Sequence, residues 1–187
     1  MSICSLRTRK LCLALLLLWC SGVHGQGETV DDVLQHAPMA SVFAMRAFDA
    51  EGRPWEQIAA TALGSYAAAT LTTYCLKRTV NELRPDKSDH RSFPSGHATY
   101  AFAGAAMLHH EYGSRSPWIS IGGFGLATLI AADRVRQDRH YLHDVCAGAV
   151  IGVASTELSY LVSKKLFRSQ NIGLSFTGQS VQLAMRW

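Results

Sequence analysis

Apolar residues come in blocks along this chain, and the polar breaks between the blocks set its elements. After an apolar stretch at residues 11–20, residues 26–37 are polar and predict a loose lead-in. Met39 to Phe48 carries enough apolar positions for a short helix, and "DAEGRP" at 49–54 breaks it. Trp55 to Leu83 is Ala-rich, with Ile58, Leu63, Tyr66 and Leu71 among its apolar positions, and predicts a long helix. Arg84-Pro85 ends it, because proline disfavours helical geometry in the residue before it. A polar loop leads to a turn, "SFPSG", and then to a helix over Ala98–Tyr112. Trp118 to Ala132 is a further helix without a charge, Asp133 to Arg139 is strongly polar, and His140 to Lys165 is a helix rich in Ala, Gly and Val. The tail alternates apolar and polar residues about a Thr-Gly-Gln-Ser turn and predicts a β-hairpin. The expected fold is an all-α bundle of about five to six helices with a short C-terminal hairpin.

The first block changes the picture of where the protein goes. Arg7, Arg9 and Lys10 precede the run "LCLALLLLWC", and Val23 and Gly25 suit a cut after Gly25. That is the pattern of a secretory signal peptide, and ten apolar residues fall short of the roughly 20 a bilayer span takes. The expected division is a signal peptide at 1–25, a lead-in and short helix at 26–54, a helical-bundle domain at 55–168 and a tail at 169–187, exported to the periplasm if the source is bacterial. The later apolar runs are mostly short for spans, and Glu157 interrupts the last. They suit core helices of a soluble bundle as well as tilted spans. Cys75 and Cys146 survive removal of the signal. They are expected either to pair or to sit as buried thiols. A net charge of +4 over 187 residues, with no basic stripe interleaved with aromatics, does not point to nucleic acid.

Three polar blocks carry candidate chemistry. Lys77 and Arg84, seven apart, would lie on one face of the predicted long helix. Two cations held together suit an anion, although an exposed charged face is the plainer reading. In "PSGH", residues 94–97, a turn becomes a helix, so unpaired N–H groups face outward and Gly96 lets a ligand approach the backbone. In "DRVRQDRHYLHD", residues 133–144, His140 and Asp144 are spaced i, i+4. A carboxylate there fixes the tautomer of the ring and leaves its other nitrogen free as base or nucleophile, while Arg134 adds a fork of donors. Cations, a helix start and two histidines together suit phosphoryl transfer, with no Asp-rich or His-rich metal cluster needed.

At these residues the chain resembles the type 2 phosphatidic acid phosphatases, which share a fold with vanadium haloperoxidases and bacterial class A acid phosphatases. The family pattern has Lys, six residues, Arg-Pro, matched by Lys77 to Pro85. Next comes Pro-Ser-Gly-His, matched by Pro94 to His97. The third part is Ser-Arg, five residues, His, three residues, Asp, matched from Asp133 to Asp144 except that Asp133 replaces Ser. The resemblance implies that Lys77, Arg84 and Arg134 hold phosphate oxygens with Ser95 and the Gly96 N–H. It implies that His140 attacks phosphorus, Asp144 orients His140 and His97 protonates the leaving alcohol. No metal or cofactor is implied. A carboxylate at 133 would repel phosphate, so Asp133 is expected to turn onto Arg136 or Arg139. His143, outside the pattern, is a candidate neighbour of the pair. The expected activity is an exported, metal-independent phosphatase acting on phosphomonoesters or diphosphates, with lipid-linked substrates favoured by the apolar chain and by the short loop from Pro85 to Pro94. The alternatives are a soluble broad-specificity acid phosphatase, a haloperoxidase (generally a longer chain) and a non-catalytic phosphate binder.

Overall fold

A computed structural model describes residues 28–49, 51–168, 172–177 and 180–185. The expected signal peptide lies outside the described residues. Six helices occur among them: α1 (Glu28–Leu34), α2 (Ala37–Ala47), α3 (Trp55–Thr79), α4 (Gly96–Tyr112), α5 (Pro117–Arg136) and α6 (Leu142–Arg168). Two strands, β1 (Ile172–Thr177) and β2 (Ser180–Met185), pair antiparallel from Thr177↔Ser180 to Ile172↔Met185, the hairpin that the alternating tail predicts.

The bundle is organised around α4. Its sequence is apolar on every side, which suits a helix buried all round. Ala98, Ala101, Ala103, Ala105 and Met107 are fully buried. Small side chains let neighbours come close. A Cβ on Gly152 of α6 would lie 2.3 Å from the Thr99 carbonyl oxygen, and one on Gly148 would lie 2.5 Å from that of Ser95. Larger apolar residues close one end of the bundle, where Val42 of α2, Ile58 of α3, Met107 and Tyr112 of α4, Ile119 of α5 and Tyr160 of α6 form one cluster. Between α3 and α6 the contact is polar but satisfied. Ser65 and Thr156 share a hydrogen bond of 2.7 Å, Thr61 donates to Ser163 at 3.0 Å and Ser159 to the Thr61 carbonyl at 2.7 Å. Buried hydroxyls of this kind hold helices together where no water competes.

Element boundaries depart from the sequence expectation in informative places. The lead-in contains a helix, α1. Helix α3 stops at Thr79, four residues before the predicted end, because Val80 turns extended and Glu82 bridges to Arg91, with the Ser92 N–H donating to the Glu82 carbonyl at 3.1 Å. Lys77 and Arg84 therefore do not share a helix face. Helix α4 begins at Gly96 because Ser95 is its N-cap, the hydroxyl accepting from the Ala98 N–H. Helix α5 runs on through Arg134, and α6 starts after His140, so His140 and Asp144 are joined by a turn and not by one helix face.

The outer faces are unusually apolar. Leu63 and Leu71 of α3, Trp118 and Ile121 of α5, and Leu142, Val150 and Leu161 of α6 are all exposed. Helix α5 and the stretch Leu142–Phe167 of α6 are long and apolar enough to cross a membrane by length and composition, which corrects the expectation of short runs. Glu157 is accommodated at the surface of α6 by His110, whose Nε2 lies 2.6 Å from its carboxylate. Cys75 and Cys146 are both free and exposed, so they neither pair nor sit in the core.

Candidate active site

The turn before α6 sets the centre of the site. Asp144 is the third residue of α6, and its Oδ2 accepts the Tyr141 N–H at 2.9 Å, the reach-back of a capping box. The same oxygen accepts the Ser92 hydroxyl, and the Asp144 carbonyl accepts the Ser95 N–H at 3.0 Å. One residue thus ties the start of α6 to the start of α4. Asp144 is fully buried, with His140 packed against it at 3.5 Å from Nδ1 to Oδ2. His140 Nδ1 has no hydrogen-bond partner among the described residues, so this is a close approach and not a formed hydrogen bond.

On the open side of His140 lies a cavity of about 340 Å³. Lys77 from the last turn of α3, Arg84 from the following loop, Gly96 and His97 from the first turn of α4 and Arg134 from the last turn of α5 line it together with His140. The three sequence blocks, 77–85, 94–97 and 133–144, thus meet at one place. Ser95 is placed differently: it is fully buried, spends its N–H on Asp144 and caps α4, and is not part of the lining. A Cβ on Gly96 would meet no protein atom within 4 Å, so the backbone there is open to a ligand.

The cations are held by short-range contacts. Lys77 donates to the Arg91 carbonyl at 2.8 Å, and Arg84 Nε to Asp89 at 2.9 Å, within the short loop whose Arg84 N–H also donates to the Asp89 carbonyl. Arg134 is nearly buried and bonds Asp31, with Asp133 at 3.3 Å and Gln137 at 3.0 Å. Asp133 directs its other oxygen onto Arg136 at 2.7 Å, one of the two expected partners, but does not turn away from Arg134, while Arg139 pairs with Asp86 at 3.2 Å. His143 Nε2 sits 2.7 Å from Glu82 and 3.2 Å from Asp144 Oδ1. These three side chains place ligand-type atoms within 4.8 Å of one another, the imidazole filling the space between the two carboxylates.

Electrostatics follow from this crowding. Burial first, then Lys77 and Arg84, hold the His140 ring down at about 4 against the opposing pull of Asp144. At neutral pH it is therefore uncharged with a lone pair to give. Burial and the nearby Arg84 lower Lys77 to about 8. His97 is also lowered, by burial and by Arg134, while Asp32 acts in the other direction. Two carboxylates of α1 thus reach the site: Asp31 on Arg134, and Asp32 Oδ1 at 2.9 Å from His97 Nε2. Sequence reasoning missed both, since "ETVDDVL" carries no motif.

Comparison with known proteins places these residues in a family. The sequence profile of the PAP2 superfamily matches residues 58–168, which contain all three blocks. A lipid A 1-phosphatase of Porphyromonas gingivalis is 37% identical over 142 residues, 74% of this chain and 32% of that protein, so the chain spans about a third of that relative's length. The crystal structure of Aquifex aeolicus LpxE superimposes with a TM-score of 0.54 at 24% identity, covering 78% of this chain and 94% of that one, a likeness of fold. With more than half of its length matched and each block of the pattern gathered around one cavity, this chain belongs to the PAP2 superfamily.

Proposed function

We propose that the protein is an exported, metal-independent phosphatase that removes phosphate from lipid-linked phosphomonoesters or diphosphates through a phosphohistidine. The observation that carries this reading is the meeting of the His140–Asp144 pair, three cations and the first turn of α4 on a single cavity. In the first step His140 Nε2 forms a bond to phosphorus as the bond to the leaving oxygen breaks, and His97 gives that oxygen a proton. Lys77, Arg84, Arg134 and the Gly96 N–H meet the phosphoryl oxygens, where fixed charge and dipoles stabilise the transition state. Ser95 holds the turn that presents Gly96. Asp144 stabilises the positive charge that His140 gains on attack. In the second step water gives a proton to His97 and attacks phosphorus, the N–P bond breaks and neutral His140 returns.

The lipid part of the reading is supported by the relative named for a lipid A phosphate and by the outward-facing Leu, Val and Trp residues of α3, α5 and α6. Apolar area of this extent marks a contact surface more often than a solvated one. Export is supported by the signal-peptide pattern of residues 1–25. The test is a substrate panel on the mature chain, residues 26–187, in detergent micelles: lipid A, phosphatidic acid, an isoprenyl diphosphate and a soluble aryl phosphate. Release from lipids well above release from the soluble ester is expected. Equal rates on the soluble ester would make this a broad acid phosphatase, and bromide oxidation with vanadate and peroxide, without phosphate release, would overturn the phosphatase reading.

A further inference from the structure

Residues 31 and 32 lie outside every block of the family pattern, yet α1 brings Asp32 to the cavity wall and Asp31 onto Arg134, a cation that lines it. Asp31 meets a cation that already has Asp133 and Gln137 as partners. Asp32 meets the ring of His97, and its contact falls on one particular nitrogen. Nε2 lies 2.9 Å from Asp32 Oδ1, which leaves Nδ1 as the nitrogen able to serve the cavity. A carboxylate hydrogen-bonded to one nitrogen holds the ring in place and keeps a proton there. The site would then contain two His–carboxylate pairs, one behind the nucleophile and one behind the acid.

We infer that Asp32 is a positioning residue for the reaction, orienting His97 and sustaining its protonated form so that it can deliver a proton to the leaving oxygen. This rests on the phosphatase reading above. The proton accounting is simple. Protonated His97 carries hydrogens on both nitrogens. It loses the Nδ1 proton to the leaving alkoxide, keeps Nε2–H on Asp32, and regains the Nδ1 proton from the attacking water. The groups that face His97 are Asp31 and Asp32 from α1 and Arg134 from α5; Lys77, Arg84, Arg139 and His140 share its cavity. Arg134 works against the protonated ring, and Asp32 is the group in direct contact that works for it.

The consequence is a dependence on leaving group. A nitrophenolate departs without a proton, whereas an alkoxide requires one, so only the alkyl ester depends fully on the acid. The experiment measures kcat/KM for nitrophenyl phosphate and for a short-chain alkyl phosphate with the full chain and its Asp32→Asn and Asp32→Glu variants. Asparagine can still accept from Nε2–H but carries no charge. Asp32→Asn should lose roughly tenfold more on the alkyl ester than on the aryl ester, a part of the roughly 10²–10⁴-fold that a whole general acid contributes. Its alkaline limb should move to lower pH, because a ring without the carboxylate releases its proton sooner, and Asp32→Glu should recover both. An NMR titration of the His97 ring in the same variants should show the same downward shift. Equal losses on both esters with an unmoved limb would overturn the inference and make α1 a structural element. Unchanged kinetics would overturn it too. A wild-type chain inert toward both esters and toward the lipid phosphates of the panel above would overturn the phosphatase reading itself, and this inference with it.

Discussion

Asp144→Asn isolates the charge behind the nucleophile. The amide has the size of the carboxylate, and its oxygen can accept the Tyr141 N–H and the Ser92 hydroxyl as Oδ2 does now, so the tie between α4 and α6 survives. What is lost is the interaction of a negative charge with the imidazole as it turns cationic on attacking phosphorus. At the observed 3.5 Å, a full charge pair is worth about 5 kcal/mol for an effective dielectric near 20. Only part of the charge has developed at the transition state, so a loss of about 3 kcal/mol, on the order of a hundredfold in kcat, is expected. The folding cost should stay within about 1 kcal/mol, because no buried donor loses its acceptor. The assay is steady-state hydrolysis of an aryl phosphate beside a thermal melt of the same preparation. A kcat within threefold of wild type, with Tm unchanged, would refute the idea that this carboxylate stabilises the attacking ring.

The pH dependence of kcat/KM should be acid-shifted. His140 must be neutral, so activity falls as pH drops through about 4, not through the 6.5 of an ordinary histidine; Lys77→Ala should move that limb upward by removing a cation that opposes protonation. His97 must be protonated, and its lowered value places the falling alkaline limb below that of a free imidazole. Gly148→Ala puts a methyl carbon 2.5 Å from the Ser95 carbonyl oxygen, so it should cost about 1–3 kcal/mol and lower activity through the displaced α4 turn, as a melt and an assay will show. Gly96→Ala meets no protein atom within 4 Å and should leave Tm unaltered while raising KM, because its methyl group enters the space a ligand needs. Activity should survive EDTA; loss restored by a divalent cation would point to metal-ion chemistry.

Much of the site was legible because it is local. Pro94 to His97 announces a turn and a helix start, and the spacing from His140 to Asp144 brings imidazole and carboxylate together whether a helix or a turn joins them. Lys77 and Arg84 do converge, but for a reason the sequence concealed. Helical periodicity would have aligned them, whereas the chain leaves the helix after Thr79 and returns Arg84 through a loop pinned by the Glu82–Arg91 bridge. Asp31 and Asp32 were invisible since their role depends only on where a seven-residue helix docks. Cys75 and Cys146 were misjudged for a common physical reason. Their helices are apolar on more than one side, so periodicity does not tell which side meets the core, and these residues lie on the outer one. The same ambiguity left α5 and α6 suited to a soluble core and to tilted spans alike, and both are long and apolar enough for a membrane.

The central claim is that His140 takes up the phosphoryl group. The measurement is rapid acid-free quenching of the protein with a phosphorus-labelled substrate, followed by peptide mapping under alkaline conditions that preserve phosphoramidates. The account predicts label on the peptide containing His140, stable to base, lost in acid and absent from His140→Ala. Turnover by His140→Ala at the wild-type rate, or label on any other residue, would contradict it.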